Sequence, residues 1–280
     1  MGRFILSAFA DEYSPDLDTQ LSMLREHGIP FLEPRGVNGK NIAELDKNEV
    51  AGLSEKLRDA GIGVSSIGSP LGKISLDDDF AAHLEKCARV FETACTLGTK
   101  NVRMFSFYPH KDRNIHDDRA EVLDKLGQML EIADSFGVTL CHENEAKIYG
   151  ESPEDCLDLL THFGGRLGCV FDMGNFVLDG HDPAPAYEKL KEHIVYFHIK
   201  DSLSAGAIVP PGLGEAKIAE VLGAFMRDFD RDVMLTLEPH LQTFSGLNAL
   251  TDVSFDNPYK FETPEAAFVT AIQNLKEILA

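Results

Sequence analysis

Four apolar segments in the second half of the chain each end in a side chain that can bind a metal ion. The segments cover residues 138–143, 167–172, 194–198 and 233–238, and their last residues are Glu143, Asp172, His198 and Glu238. A buried parallel strand is apolar almost throughout, and an unpaired charge inside a protein is costly. Carboxylate and imidazole groups at four strand ends therefore predict a shared partner, and a divalent metal ion suits this set of groups.

The strands themselves are predicted from a unit that repeats along the chain. Helical segments end at a glycine that an apolar run follows at once, as at Gly28 and Gly137, because glycine suits the left-handed cap of a helix. Other helices are predicted to begin with Ser/Thr-Pro-acid, at 14–16, 152–154 and 263–265, with the hydroxyl as N-cap. We predict eight strands, near residues 3–9, 29–34, 62–68, 100–107, 138–143, 167–172, 194–199 and 233–238.

Eight strands that alternate with helices favour a single (β/α)8 TIM barrel, which is an α/β fold. A doubly wound sheet is less favoured, because the first turn contains no G-x-G-x-x-G motif. No linker or change of composition divides the chain, so we predict one domain over residues 1–280. A long aromatic loop, 239–262, precedes the last helix; it is either a lid or contact surface, or a packing arm over the barrel mouth.

A barrel brings its strand ends together at the carboxyl face, so Glu143, Asp172, His198 and Glu238 are expected to meet there. Carboxylate oxygens with one imidazole suit Mn²⁺, Mg²⁺ or Co²⁺ better than a structural zinc ion, which prefers thiolates. One strand-end Glu or His alone is more often a hydrogen-bonding group of a loop. Four at consecutive strand ends favour the metal site.

The charge of the chain disfavours two kinds of partner. The chain of 280 residues has 26 Lys and Arg against 46 Asp and Glu, a formal charge of −20. Such a charge disfavours binding to nucleic acid or to an anionic membrane. The five cysteines are scattered and form no CxxC pair, as is usual for free thiols in a reducing compartment. The first residues have a strand pattern and show neither the apolar region nor the cleavage site of a secretory signal, so we expect a cytoplasmic protein.

The motifs around the four strand ends resemble those of the xylose-isomerase-like barrel superfamily. This superfamily contains sugar and sugar phosphate isomerases and epimerases, including tagatose/psicose 3-epimerases and hydroxypyruvate isomerases. The motifs are His-Glu-Asn-Glu at Glu143, Phe-Asp-Met-Gly-Asn at Asp172, Phe-His-Ile-Lys-Asp at His198 and Leu-Glu-Pro-His at Glu238. The resemblance covers nearly the whole chain. It departs at Asn175, where the epimerases often have a histidine.

The resemblance implies that Glu143, Asp172, His198 and Glu238 hold one divalent metal ion, Mn²⁺ before Mg²⁺, Co²⁺ or Zn²⁺. It also implies that Glu143 and Glu238 are the catalytic acid and base. The expected reaction is isomerisation or epimerisation of a small-molecule sugar or sugar phosphate. A carboxylate removes the proton beside a carbonyl, and the metal stabilises the enediolate. A homodimer or homotetramer is expected by analogy.

The candidates for substrate binding are Arg35, Asn175, Lys200, Asp201 and His240. Arg35 follows the second predicted strand, and its guanidinium could hold a substrate hydroxyl, phosphate or carboxylate, or pair with a rim acid. Asp201 could orient His198 or cap a loop. His240 lies two residues after Glu238, so its side chain could point into the same mouth.

Three other functions are compatible with a barrel. A metal-dependent lyase or dehydratase acting on a keto-sugar, an inosose or a C-glycoside would share the first proton abstraction. A DNA repair enzyme like endonuclease IV would need more His ligands and a basic groove, which the charge of −20 opposes. A non-catalytic subunit is disfavoured by the intact set of four ligands.

Overall fold

The computed structural model describes residues 2–242 and 259–280. Its strands are β1 Phe4–Ala8, β2 Phe31–Leu32, β3 Gly36–Val37, β4 Lys40–Asn41, β5 Gly63–Val64, β6 Asn101–Met104, β7 Thr139–Glu143, β8 Leu167–Asp172, β9 Ile194–Ile199, β10 Asp201–Ser202, β11 Ile208–Val209 and β12 Val233–Leu237. Its helices are α1 Leu17–Glu26, α2 Lys47–Ala60, α3 Phe80–Leu97, α4 Arg119–Phe136, α5 Pro153–His162, α6 Met173–Leu178, α7 Pro183–Leu190, α8 Ile218–Asp228 and α9 Pro264–Ile278.

The strands close into a barrel. A parallel sheet has the order β1-β12-β9-β8-β7-β6, and β2 pairs in parallel with β5. The Glu33 N–H donates to the Ala8 carbonyl oxygen at 3.1 Å, and a parallel bridge joins Ile67 to Val102. These two links connect β2 to β1 and β5 to β6, so the ring is complete. The predicted (β/α)8 barrel is confirmed.

Two of the barrel strands are shorter than predicted. The predicted strands at 29–34 and 62–68 contain regular pairing only at β2 and β5. Pro30 and Pro34 flank β2, and proline has no N–H to donate to a neighbouring strand. The barrel therefore continues beyond β2 and β5 through single hydrogen bonds and not through a regular ladder.

The predicted helix ends are largely confirmed. Gly137 takes a left-handed conformation (φ 68°) at the end of α4. The Ser152 side chain accepts a hydrogen bond from the Asp155 N–H at the start of α5. The prediction was wrong at α1, where the N-cap is Asp16 and not Ser14, because the Asp16 carboxylate takes the Thr19 N–H while Ser14 Oγ accepts the Asp16 N–H.

The helices pack their apolar faces on the outside of the barrel. A second, smaller apolar cluster consists of Cys141, Val170 and Tyr196 from three neighbouring strands. Above it, towards the carboxyl ends of the strands, the buried side chains become polar. Residues 243–258, the larger part of the predicted 239–262 loop, lie outside the described residues. Among the helices that the structure describes, none is long and apolar enough to cross a membrane.

Candidate metal centre

The barrel brings the four predicted ligand residues together. Glu143, Asp172, His198 and Glu238 each offer one ligand atom, and these atoms lie within 4.8 Å of one another. The residues come from the carboxyl ends of β7, β8, β9 and β12, and each is at most 3% exposed. Four groups that are far apart in the sequence thus share one small buried volume, as strand ends of a barrel can.

Hydrogen bonds with Asn175 and Asn144 fix the position of Asp172. Its Oδ1 accepts the Asn175 N–H at 2.8 Å and so caps α6. The Asn144 side chain bonds both the N–H and the carbonyl oxygen of Asp172, each at 3.0 Å. Capping therefore uses one carboxylate oxygen and leaves Oδ2 to face the cluster.

His198 lies between the two predicted catalytic carboxylates. Its Nδ1 is 2.9 Å from Glu143 Oε1 and 3.0 Å from Glu238 Oε2. His142 precedes Glu143 and points the other way, towards Ser106 Oγ at 2.8 Å, as the alternation of side chains along a strand requires. The same alternation directs Glu143 to the barrel axis.

Each of these two carboxylates has its other oxygen held by a buried arginine. Arg103 donates to Glu143 Oε2 at 3.0 Å, and Arg35 donates to Glu238 Oε1 at 3.1 Å. Both guanidinium groups lie over the ring of Phe9, at 4.8 Å and 4.3 Å from its centroid. A charge-assisted bond of this kind fixes a carboxylate strongly. The site therefore presents Glu143 Oε1 and Glu238 Oε2 towards the same ring nitrogen.

Burial and charge act in opposite directions on the ionisable groups. Burial disfavours the charged form of His198, but the carboxylates around it, Glu143 foremost, raise the pKa of its imidazole well above the ordinary value. Burial raises the pKa of Asp172 to about 7, against the attraction of Lys200. Burial would also raise the pKa of Glu143, yet His198 and Arg103 lower it to about 2. The carboxylates therefore place negative charge around Nδ1 of His198.

These residues fit a divalent metal ion. Asp172 Oδ2 and Glu238 Oε2 are buried, and neither accepts a well-aligned hydrogen bond from the described residues. Their nearest cations, Lys200 Nζ at 3.1 Å and His198 Nδ1 at 3.0 Å, are at ion-pair distance only. Buried oxygens without aligned donors, beside one imidazole, are the donor set that a hard or borderline divalent ion takes.

The five candidates for substrate binding lie in different settings. Arg35 is 4% exposed and pairs with Asp11 and Glu12 as well as with Glu238. Lys200 reaches Asp172, and Asn175 donates through Nδ2 to the Asn144 carbonyl oxygen. These three residues therefore surround the candidate metal centre and support its carboxylates.

The remaining two candidates are Asp201 and His240. The Asp201 carboxylate accepts the N–H groups of Ser202, Gly212, Gly214 and Ala216, so it holds the loop after β11. The structure does not bring it to His198 through any hydrogen bond that it describes. The His240 ring lies 3.5 Å from Glu238 Oε1, and its left-handed backbone (φ 47°) is fixed by a hydrogen bond from its N–H to Glu12 Oε2 at 2.7 Å.

Sequence reasoning assigned no role to several residues that surround this site: Glu33, Asn144, Tyr196 and Thr236. Tyr196 and Thr236 each precede a strand-end ligand by two positions, so strand alternation already placed them on the same face. Glu33 ends the apolar run of the second predicted strand, so the signal used for the four ligands could have found it, whereas Glu12 lies in a polar stretch of the sequence.

Comparison with known proteins agrees with this architecture. The profile of the family described as xylose isomerase-like TIM barrel matches residues 21–279. The chain therefore belongs to the xylose isomerase-like TIM barrel family. No curated protein sequence matches the chain.

Solved structures of similar fold include enzymes of more than one kind. IolI with a bound zinc atom superposes with a TM-score of 0.76 at 18% identity, over 98% of each chain. D-psicose 3-epimerase, solved in the presence of D-fructose, gives 0.77 at 16% identity, over 98% of this chain and 99% of that one. AsbF from Bacillus anthracis, a probable 3-DHS dehydratase, gives 0.73 at 18% identity, over 99% of each chain. At identities this low, the comparison with solved structures establishes the shared fold alone.

Proposed function

We propose that this protein is a metal-dependent isomerase or epimerase of a sugar or sugar phosphate. The observation that carries the proposal is the arrangement of Glu143 and Glu238. Both carboxylates direct one oxygen to the same point of a buried cluster of metal-binding groups, and each has its second oxygen held by an arginine. Two fixed carboxylates at one metal site can remove and return a proton on either side of a substrate.

A divalent ion bound by Glu143, Asp172, His198 and Glu238 would polarise a carbonyl and the hydroxyl beside it. One of the two glutamates takes the proton from the carbon next to that carbonyl. Return of a proton to the opposite face of the same carbon by the other glutamate inverts that centre, which is epimerisation. Return of a proton to the neighbouring carbon exchanges aldose and ketose. Arg35 and Arg103 keep the two carboxylates in place during the transfer.

Mn²⁺ is the ion that we propose first, because three carboxylates and one imidazole form a hard to borderline site. Mg²⁺, Co²⁺ and Zn²⁺ are the alternatives, and IolI shows zinc in a barrel of this fold. The substrate is a small molecule. All five cysteines are free thiols, which agrees with our expectation of a cytoplasmic enzyme.

A lyase or dehydratase acting on a keto-sugar is the second candidate. It begins with the same proton abstraction, after which a leaving group departs in place of reprotonation. The similar fold of the probable 3-DHS dehydratase AsbF favours keeping this candidate.

Product analysis tests the proposal. The purified protein, loaded with Mn²⁺, is incubated with free and phosphorylated ketoses and with keto-inositols, and the products are separated and identified by NMR. A new epimer or aldose, formed with Mn²⁺ and not with EDTA, supports the isomerase or epimerase. A dehydrated product supports the lyase, and the absence of any product despite bound metal contradicts both.

A further inference from the structure

Glu33 lies beneath the metal centre and has no role in the chemistry proposed above. It follows β2, and it is 0% exposed. Burial of a carboxylate is costly unless donors satisfy it. Glu33 therefore needs either a purely structural role among polar neighbours or a role towards the site, and its partners decide between the two.

One partner of Glu33 is the proposed ligand His198. The Nδ1 of that ring faces Glu143 and Glu238, while Nε2 lies 3.3 Å from Glu33 Oε2. An imidazole binds a metal through an unprotonated nitrogen, so the ring must carry its N–H on the other side. A carboxylate at Nε2 selects that tautomer and fixes the plane of the ring.

Glu33 is itself held by two hydroxyl groups. Thr236 Oγ1 donates to Glu33 Oε2 at 2.6 Å, and the Tyr196 hydroxyl donates to Oε1 at 2.9 Å. Tyr196 precedes His198 by two residues on β9, and Thr236 precedes Glu238 by two on β12. Strand alternation thus places this layer directly below the proposed ligands. Two strands that carry proposed ligands, β9 and β12, thus both fix the orientation of the Glu33 carboxylate.

We propose that Glu33 is a positioning residue, which holds His198 with Nε2–H towards the barrel interior and Nδ1 towards the metal. This inference rests on the proposed metal-dependent function. Thr236 and Tyr196 fix Glu33 in turn, so the chain from hydroxyl to carboxylate to imidazole is continuous.

The first test compares metal affinity in the wild type and in Glu33→Gln, by competition between the protein and a chromophoric chelator for Mn²⁺. The amide keeps the size of the side chain and removes its charge, so we expect Mn²⁺ binding to weaken roughly 10- to 100-fold. Thr236→Val removes the donor to the same oxygen, and we expect a smaller loss in the same direction. Unchanged Mn²⁺ affinity in folded Glu33→Gln overturns the proposal.

The second test needs no metal. The ring N–H signals of His198, labelled with ¹⁵N, are followed by NMR in the metal-free protein. We expect a slowly exchanging Nε2–H signal with a contact to the Thr236 methyl group, and this signal exchanges faster with water in Glu33→Gln. Glu145→Gln removes a carboxylate charge outside the cluster, at the pair with Lys73, and should leave this signal in place.

The two tests separate the possible failures. If the wild type binds no metal, the proposed function fails, while the Nε2–H signal still decides whether Glu33 orients the ring. If Glu145→Gln weakens Mn²⁺ binding as much as Glu33→Gln and affects the ring signal equally, the effect is general loss of charge, and the positioning role is overturned.

Discussion

The two proposed catalytic glutamates divide their oxygens in the same way. Glu143 accepts from Arg103 through Oε2 and turns Oε1 to His198 Nδ1, and Glu238 accepts from Arg35 through Oε1 and turns Oε2 to the same nitrogen at ion-pair distance. A carboxylate held by one oxygen keeps the other available at a fixed place. Under the proposed function, the oxygen that is turned to the cluster is the one that would meet both the metal ion and the substrate.

Replacing either glutamate by its amide tests this role. Glu143→Gln and Glu238→Gln keep the shape of the side chain and remove the basic oxygen, so we expect kcat to fall on the order of 10²- to 10⁴-fold. The measurement is the initial rate on the substrate found by product analysis. Glu145→Gln is the matched control, because Glu145 pairs with Lys73 outside the cluster. Full activity in Glu143→Gln or Glu238→Gln would refute the mechanism of two carboxylates.

The arginines make a separate prediction. Arg103→Lys keeps the positive charge but loses the fork that bonds Glu143 Oε2 and the Gly68 carbonyl oxygen together. We expect kcat to fall roughly 10- to 100-fold, since a residue that orients a ligand has effects of this size. Arg166→Lys, at the exposed pair with Asp134, is the control and should leave kcat unchanged. Equal rates in wild type and Arg103→Lys would show that orientation by the fork is unimportant.

Among single residues, the sequence predicts the strand-end ligands well and predicts poorly the residues that hold them in place. Glu143, Asp172, His198 and Glu238 interrupt apolar runs, so each is conspicuous. Arg103 lies inside a strand run, and its partner Glu143 is on the next strand. Nothing in the sequence around Arg103 shows that pairing, because it depends on the register of β6 against β7.

Among the elements, the turn from β8 into α6 determines much of the site. Asp172 ends the strand and caps the helix, so the following residues pass very close to the chain after β9. A Cβ on Gly174 would lie 2.7 Å from Lys200 Cγ and 2.9 Å from the Lys200 carbonyl carbon. Only glycine allows this approach.

Gly174→Ala should therefore displace Lys200 and weaken its pairing with Asp172. We expect lower stability, and weaker binding of Mn²⁺ in the chelator competition. Gly52→Ala is the matched control in α2, where the new Cβ would meet nothing within 4 Å. That change should stabilise the protein by about 0.5–1 kcal/mol in urea unfolding, because alanine favours the helix. A Gly174→Ala protein with wild-type stability and metal affinity would contradict the close approach.

His83 on α3 makes a prediction about pH. Its Nε2 accepts the Gly72 N–H at 3.1 Å, and burial lowers the pKa of the imidazole to about 4 from 6.5. Between these two values the unfolded chain binds a proton that the folded protein excludes. This residue therefore contributes stability that is present above pH 6.5 and is lost as the pH falls to about 4, by roughly 3 kcal/mol at most.

His83→Gln removes this titration and can keep an acceptor for the Gly72 N–H. Urea unfolding at pH 7 and pH 5 should show a smaller loss of stability on acidification than in the wild type. The exposed His162→Gln is the control and should retain the wild-type dependence. An identical pH dependence in His83→Gln and wild type would disprove the assignment.

The elements were predictable to the extent that local signals fix them. Gly137 and Ser152-Pro153 mark helix ends that the structure confirms. The two short strands β2 and β5 were predicted too long, because an apolar run indicates burial but not regular pairing. Pro30 and Pro34 indicated that regular pairing would be interrupted there, because proline has no N–H to donate.

At the scale of the whole molecule, barrel closure is what creates the site. Phe9, Arg35, Arg103 and the four proposed ligands lie in strands or shortly after them, at positions spread over most of the chain, and they meet only when the ring closes. The alternation of strands and helices predicted the barrel, and the barrel in turn predicted that the four strand ends would meet. Which cations and acids would pair inside it required the structure, because pairing depends on side-chain directions across the ring.

The central claim is that this site removes a proton from the carbon beside a carbonyl. The most direct measurement is deuterium incorporation from D₂O, followed by NMR on a panel of free and phosphorylated ketoses and keto-inositols, with Mn²⁺ or with EDTA. We predict incorporation at the carbon next to the carbonyl of at least one substrate, with Mn²⁺ and not with EDTA, and its loss in Glu143→Gln and Glu238→Gln. No incorporation into any of them, while the protein binds Mn²⁺, would contradict the account.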